Sequence, residues 1–331
     1  MITFVKGNLF QSPAKVLVNT VNTVGVMGKG IALVFKNVYP EMFARYQKLC
    51  EERQIRVGSL WLYKTPHKWI LNFPTKEHWR SPSTPEYIEA GLRRFVATYA
   101  EQGITSVAFP ELGCGNGELD WITTVRPLMV RYLARLPVDI FIYEYVQPAT
   151  KPEHKDVESV RSWLRSEPRS LAFDEVWSDL KSVVARGISL ETWDEHVPYG
   201  LFTTDSPETG IRIELRTRTA WAKVSSLLSK VIPSRWRPRI LGPEDIFIPQ
   251  EALLELWQGI RGYGFCVPRI MPAGLDVLAP YLLPLLAKLP YLPRVELTTS
   301  SGNKPETALR LYALPKDRPV QQMFDALIQP G

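Results

Sequence analysis

The stretch VNTVNTVGVMGKGIALVFK, residues 18–36, decides how this chain is read. A β-branched apolar run, Val16–Asn22, leads into a loop with glycines at 25, 28 and 30, and an apolar-periodic segment begins at Ile31. A strand that ends in glycines and restarts as a helix exposes backbone N–H groups at the strand's end, and a helix N-terminus favours an anion there. The same grammar recurs in VAFPELGCGNGELDW, residues 107–121, with glycines at 113, 115 and 117. One such loop is as easily a tight turn as a ligand site. Two in equivalent strand-to-helix positions favour a diphosphate held from both sides. Neither fits a P-loop, because Gly25 and Gly28 are too close and no Ser or Thr follows Lys29-Gly30. Neither fits a dinucleotide fingerprint, because the second loop reads GxGxG.

Outward from these loops, residues 1–145 alternate in period. Strands are expected at Ile2–Val5, Val16–Asn22, Ser59–Tyr63, Trp69–Phe73, Ser106–Phe109 and Val138–Tyr145. Helices are expected at Ile31–Leu49, broken or restarted at Pro40, at Glu86–Gln102 behind a Thr84-Pro85 start, and at Trp121–Leu136. That order predicts a three-layer α/β/α domain around a mixed sheet, with a ligand crevice at the strand ends. QPATKPEHKD, 147–156, reads as a linker. The domains are therefore expected at 1–147 and 157–331, with 148–156 between them. The second is read as α+β, with helices at Asp156–Leu164, Phe173–Val184, Arg218–Val231 and Gln250–Arg261, a strand at Ile211–Arg216, and late strands at Val295–Thr299 and Ala308–Leu314.

The chain has 331 residues, 45% hydrophobic and 22% charged, which fits two soluble domains. No apolar run approaches a membrane span, and the start MITFVKGNLF lacks the pattern of a secretion signal. Three widely spaced cysteines form neither a disulfide framework nor a zinc set, which fits a reducing, cytoplasmic location. Four scattered histidines offer no metal-ligand spacing, so no metal and no cofactor are expected. Charge is uneven: residues 1–150 hold 17 Lys/Arg against 12 Asp/Glu, 151–210 hold 7 against 12, and 211–331 hold 16 against 10. A basic first domain suits a polyanionic ligand. The acidic segment carries Glu153, Asp156, Glu158, Asp174, Glu175, Asp179, Glu191, Asp194 and Glu195 among Trp163, Phe173, Trp177 and Trp193. It reads either as amphipathic helices with acidic outer faces or as a mimic of single-stranded DNA.

On the two glycine loops, residues 1–145 resemble a macrodomain, the α/β/α module that holds ADP-ribose. Within that family the chain resembles the branch of the terminal ADP-ribose protein glycohydrolase, and most of all the DarG-type antitoxins, ADP-ribosyl glycohydrolases that act on DNA modified at thymidine. The features are a lysine just after a strand, in NFPTKEHWR (72–80), and a second domain of matching size. The resemblance implies an antitoxin that removes ADP-ribose from single-stranded DNA by N-glycosidic hydrolysis, while its C-terminal domain sequesters the partner toxin, a DNA ADP-ribosyltransferase. A reader without catalysis, and a hydrolase of ADP-ribosylated protein carboxylates, are the alternatives.

By the same resemblance Lys76 occupies the catalytic position. ADP-ribose would lie against Asn8, Asn22, Thr23, Gly28, Lys29, Gly30, Ile31 and Ala32 of the first half of the site, and Gly113, Cys114, Gly115, Asn116 and Gly117 of the second. Asn22 would face the distal ribose, where a carboxamide can both donate and accept. Asp120 is either an assisting acid or the N-cap of the helix that begins at Trp121. The human glycohydrolase branch carries its acidic residue nearer the GCG glycines, where this chain has Asn116 and Gly117. Among the basic and aromatic residues 64–80, Trp79 and Arg80 are the expected DNA contacts, one stacking a base and the other gripping phosphate.

Overall fold

The computed structural model describes residues 1–144, 151–206, 208–229, 238–242, 244–298 and 305–313. The chain divides into two compact units, Met1–Val160 and Arg161–Gly331.

In the first unit the elements are β1 (Ile2–Lys6), β2 (Val16–Val21), α1 (Gly30–Val38), α2 (Pro40–Glu51), β3 (Trp61–Lys64), β4 (Trp69–Pro74), α3 (Pro85–Thr98), β5 (Ser106–Pro110), a π-helical turn at Trp121–Val125 that runs into α4 (Arg126–Leu133), and β6 (Asp139–Glu144). The strand order is β1-β6-β5-β2-β4-β3. All neighbours are parallel except β3, which runs antiparallel to β4.

The two-residue period of each strand explains the layers. Val16 and Val18 of β2, Leu71 and Phe73 of β4, Val107 and Phe109 of β5, and Ile140 and Ile142 of β6 share one core with Ile88, Leu92 and Phe95 of α3 and Met129 and Leu133 of α4. The intervening residues Leu17, Ile70, Ala108 and Tyr143 share the opposite core with Phe35 of α1 and Met42, Phe43, Tyr46 and Cys50 of α2. This is the α/β/α sandwich that the sequence predicts. Gly91 lets α3 lie directly on the sheet, since a Cβ there would meet the Phe73 ring at 2.1 Å. Asn19 and Asn72, opposed in register, are both fully buried and joined Nδ2 to Oδ1 at 2.9 Å, while Asn19 Oδ1 is left buried without a partner. Pro40 restarts the helix rather than kinking it, because it stands at the first position of α2.

The second unit contains most of α5 (Val157–Ser166), inside which the division falls, then α6 (Phe173–Val184), β7 (Ile188–Glu191), β8 (Pro198–Thr204), β9 (Gly210–Leu215), α7 (Arg218–Ser229), β10 (Arg239–Gly242), β11 (Asp245–Pro249), α8 (Gln250–Tyr263), β12 (Phe265–Cys266), α9 (Ala279–Leu286), β13 (Arg294–Leu297) and β14 (Glu306–Arg310). A five-stranded antiparallel sheet is ordered β10-β11-β9-β8-β7, and a small sheet β12-β14-β13. The late strands pair antiparallel as expected. The predicted ends at Tyr145, Val231, Thr299 and Leu314, and residues 147–150 of the expected linker, lie outside the described residues.

Part of the acidic segment is built into a core, while Glu158, Glu191, Asp194 and Glu195 are exposed. Glu175 and Asp179, on α6, are fully buried around Arg165 of α5, and Tyr291 donates its hydroxyl to Asp179 at 3.0 Å. Phe173 and Trp177 are buried with them. These four side chains belong to a core, so they form neither an acidic outer face nor a nucleic-acid-like surface.

Candidate active site

Loop 1, between β2 and α1, is shaped by Asn22. The Asn22 side chain is 5% exposed; its Nδ2 donates to Val26 O at 2.7 Å, and its Oδ1 accepts from Val24 N at 3.1 Å and Val26 N at 3.2 Å. Tyr46 closes the set by donating its hydroxyl to Asn22 O at 2.7 Å. Both ends of the carboxamide are thus used within the loop, so Asn22 orders its backbone. Thr23 fastens the loop to the segment after β4, with its N and Oγ1 both donating to Glu77 O, at 3.0 and 2.7 Å. Lys29 is the extended residue before α1, and Ile31 and Ala32, half-buried, form the helix's first turn. Asn8, exposed, caps the short turn Leu9–Gln11 by accepting from Phe10 N at 3.0 Å.

Loop 2, between β5 and the π turn, is close-packed. A Cβ on Gly117 would lie 2.2 Å from Ser83 Oγ and 2.3 Å from Gly113 O, so that residue is required by packing. Ser83, which the sequence reading did not single out, donates its N to Gly117 O at 3.0 Å and supports the loop from below. Cys114 is half-buried, and burial, reinforced by the charges of Glu111 and Asp120, pushes its thiol up to about 12, which leaves no thiolate nucleophile near neutral pH.

The loops meet at Gly30 and Asn116. Gly30 has φ +59, and a Cβ there would stand 2.8 Å from Asn116 Nδ2. Lys76 lies beside this contact, two residues beyond β4, and donates its Nζ to Asn116 O at 3.1 Å. Thr75 N bonds Val21 O at 2.9 Å, which carries the β2–β4 pairing up to Lys76 and fixes where its side chain starts. Lys76 is 6% exposed. Burial drives its pKa below that of an ordinary lysine, and the carboxylates of Glu153 and Glu118 oppose the shift. The sequence-predicted Lys76, Lys29, Gly30, Asn116 and Gly117 are therefore brought together.

Asp120 resolves into a cap. Its Oδ1 accepts from Thr123 N at 2.6 Å and Thr123 Oγ1 at 2.7 Å, and those bonds hold its carboxyl below the usual range. A carboxylate kept ionised at a helix N-terminus is a poor acid, so the capping role stands in place of the assisting one. Trp79 is fully buried, with the Arg80 guanidinium 4.8 Å from its ring centroid, so its face is closed to a base; this corrects the expected stacking contact. Lys68 is likewise committed, its ammonium donating to Ser12 O at 2.7 Å and Ala14 O at 2.6 Å.

Residues 151–156, expected to be linker, instead pack on the site. Glu153 is 6% exposed, and its Oε2 lies 3.5 Å from Lys76 Nζ. Lys29 Nζ donates to Lys151 O at 2.6 Å and pairs with Asp156 at 3.9 Å. Glu118, beside loop 2, pairs with His154 at 2.7 Å and with Lys155. No motif marks these residues in the sequence; six polar, proline-containing residues look like any spacer.

The model of the Macro domain family matches residues 18–128. The chain is similar to a DNA ADP-ribosyl glycohydrolase of Thermus aquaticus, 40% identical over 176 residues, covering 52% of this chain and 48% of the relative. It is 38% identical over 161 residues to a DNA ADP-ribosyl transferase–DNA ADP-ribosyl glycohydrolase fusion protein of Thermosipho africanus, covering 43% of this chain and 41% of the relative. The macrodomain of Mycobacterium tuberculosis DarG, a solved structure, is 49% identical, with 43% of this chain and 97% of that chain covered and a TM-score of 0.42. The match therefore spans about half, or less, of the length of these curated relatives. Through the sequence identity of its first unit, with its paired glycine loops, this chain belongs to the macrodomain family.

Proposed function

We propose that the chain is a DNA ADP-ribosyl glycohydrolase that frees ADP-ribose from thymidine in single-stranded DNA, with Lys76 as the nucleophile. One observation carries the reading: a lysine amine is buried where two glycine loops meet, and burial favours its uncharged, attacking form. The name borne by the Thermus relative supports DNA as the modified macromolecule.

The chemistry follows from the amine. Uncharged Nζ attacks the anomeric carbon of the distal ribose. The bond from that carbon to the base nitrogen breaks, its electron pair leaves with the base, and the base takes up a proton. The lysine's proton passes to the ring oxygen as the sugar opens to an iminium. Water adds to the same carbon, and collapse returns Lys76 and free ADP-ribose. Lys29, the first turn of α1 and the backbone of loop 2 hold the diphosphate. Arg80 is retained as the DNA contact; Trp79 is withdrawn.

The second unit is assigned the binding of a DNA ADP-ribosyltransferase toxin. The Thermosipho relative, whose name joins a transferase to a glycohydrolase, supports that partnership. Among the described residues no helix is long and apolar enough to cross a membrane, and the three cysteines are free, which supports a reducing compartment, the cytoplasm.

The test is release of ADP-ribose from a modified single-stranded oligonucleotide by wild type and Lys76→Ala. Release by wild type alone supports the reading. Binding of ADP-ribose without release by either protein would instead indicate a reader.

A further inference from the structure

The segment KPEHKD, residues 151–156, makes all its charged contacts with residues of the site. Its two carboxylates sit on the two cations of the site, Glu153 on Lys76 and Asp156 on Lys29. Two of its basic residues, His154 and Lys155, sit on Glu118 at the end of loop 2. Loop 1, loop 2 and the lysine between them are thereby bridged by one short piece of chain, and Lys76 is left almost without exposed surface.

The hold is almost entirely electrostatic. Apart from Pro152 the segment has no apolar side chain to bury, so its seat gains little from the hydrophobic effect. It also carries a cost, since His154 Nδ1 is buried with no hydrogen-bond partner. The pairs with Lys29 and Lys155 are partly exposed, and such pairs contribute little each. A diphosphate ligand seeks the cations that Asp156 and Glu153 now neutralise. Seat and ligand therefore draw on the same groups.

We propose that residues 151–156 form an intramolecular strap that occupies the ADP-ribose site in the resting chain, with Glu153 seated on Lys76, and that the strap leaves when ADP-ribose enters. The inference rests on the site being an ADP-ribose site. It makes the resting chain a fraction-competent binder, whose apparent affinity falls by the fraction of molecules with the strap withdrawn.

The experiment uses the full chain as wild type, Glu153→Gln and the double variant His154→Ala/Asp156→Asn, which loosens the strap without touching the Lys76 pair. Three quantities are read: ADP-ribose affinity by calorimetry, acylation of Lys76 by an amine reagent with peptide mass spectrometry, and tryptic cleavage after Lys155. Each variant is expected to bind ADP-ribose about tenfold more tightly than wild type, if about one molecule in ten has the strap withdrawn. Lys76 acylates several-fold faster in each, and in wild type added ADP-ribose speeds the cut after Lys155. Unchanged or weaker binding in both variants, with Lys76 acylation unchanged, overturns the strap. If no form binds ADP-ribose but Lys76 acylation still rises in the variants, the glycohydrolase reading falls and takes with it the strap as a competitor of ADP-ribose, leaving only a cover over Lys76.

Discussion

Glu153 Oε2 stands 3.5 Å from Lys76 Nζ, with 8% and 7% of the two side chains exposed. The pair is unequal in what it does to the lysine. Burial penalises the ammonium more than the carboxylate stabilises it, so the net shift of Lys76 is downward, while burial raises Glu153 against the pull of Lys76. A lysine whose pKa is lowered loses its proton at lower pH than its neighbours. The expected result is that the Lys76 Nζ titration, followed by nitrogen NMR of labelled protein, has its midpoint below the ordinary lysine value of about 10.4. ADP-ribose release should rise with pH through that lowered midpoint. A midpoint at or above that of exposed lysines would remove the physical basis for amine attack.

Gly30 is the contact point of the two loops. Its φ of +59 is costly for a residue with a side chain, and Asn116 Nδ2 stands where the Cβ would go. Gly30→Ala is expected to cost about 1–3 kcal/mol of stability from the backbone conformation. The neighbouring Asn116 must also shift, and its carbonyl is the acceptor for Lys76. ADP-ribose affinity should therefore fall with stability. Melting curves and calorimetry on the same variant check both, and a variant as stable and as tight as wild type would contradict the geometry.

Asp120 separates a cap from an acid. Asp120→Ala removes the bonds to Thr123 N and Oγ1 and should lower the melting temperature modestly, as loss of an N-cap side chain does. Turnover, measured with substrate in excess at a temperature where the variant is folded, should stay within about twofold of wild type. A hundredfold loss, about 2.7 kcal/mol of transition-state stabilisation, would restore Asp120 to the chemistry.

The first unit was legible because its signals are local. The largely apolar runs Val16–Val21 and Trp69–Pro74 mark strands buried on both faces, and glycines at strand ends state where the backbone must approach something. Pro40 and Pro85 mark helix starts for the same local reason. What escaped depends on contacts between residues far apart in the chain. Nothing in the sequence around Glu153 says that it returns to Lys76. Nothing around Ser83 says that it lies beneath Gly117. The bonds that Asn22 makes within its own loop escaped as well, since a carboxamide that can bond a sugar can equally bond its own backbone. In the second unit β7, β8, β10 and β11 were missed, while α6 was read to the residue from its helical period. Its acidic residues were read by charge alone, although Glu175 and Asp179 are four apart and so share the helix face that meets Arg165.

That cluster gives the last prediction. Arg165 is 1% exposed and pairs with Glu175 and Asp179; Arg161 lies 3.9 Å from Asp179, and Tyr291 adds a hydroxyl to it. Burial raises the Asp179 carboxyl, and Arg165, with the Tyr291 hydroxyl, opposes the rise. Arg165→Met keeps the volume and removes the buried charge, so it leaves two buried carboxylates with only the longer contact to the more exposed Arg161. Breaking a buried pair from one side costs about 3–5 kcal/mol near neutral pH. The sign with pH is fixed by linkage. Without the guanidinium the folded-state carboxyl pKa lies further above its unfolded value. The stability from holding that proton is then fully present below the unfolded pKa and is lost as pH rises through the folded one. The deficit in melting temperature relative to wild type should therefore be large at about pH 8 and shrink toward about pH 5, where the folded carboxyl keeps its proton. Arg165→Lys, which keeps a cation but not the two-pronged geometry, should fall between them. A deficit that stays constant across that range would mean that Arg165 matters for its packing and not for its charge.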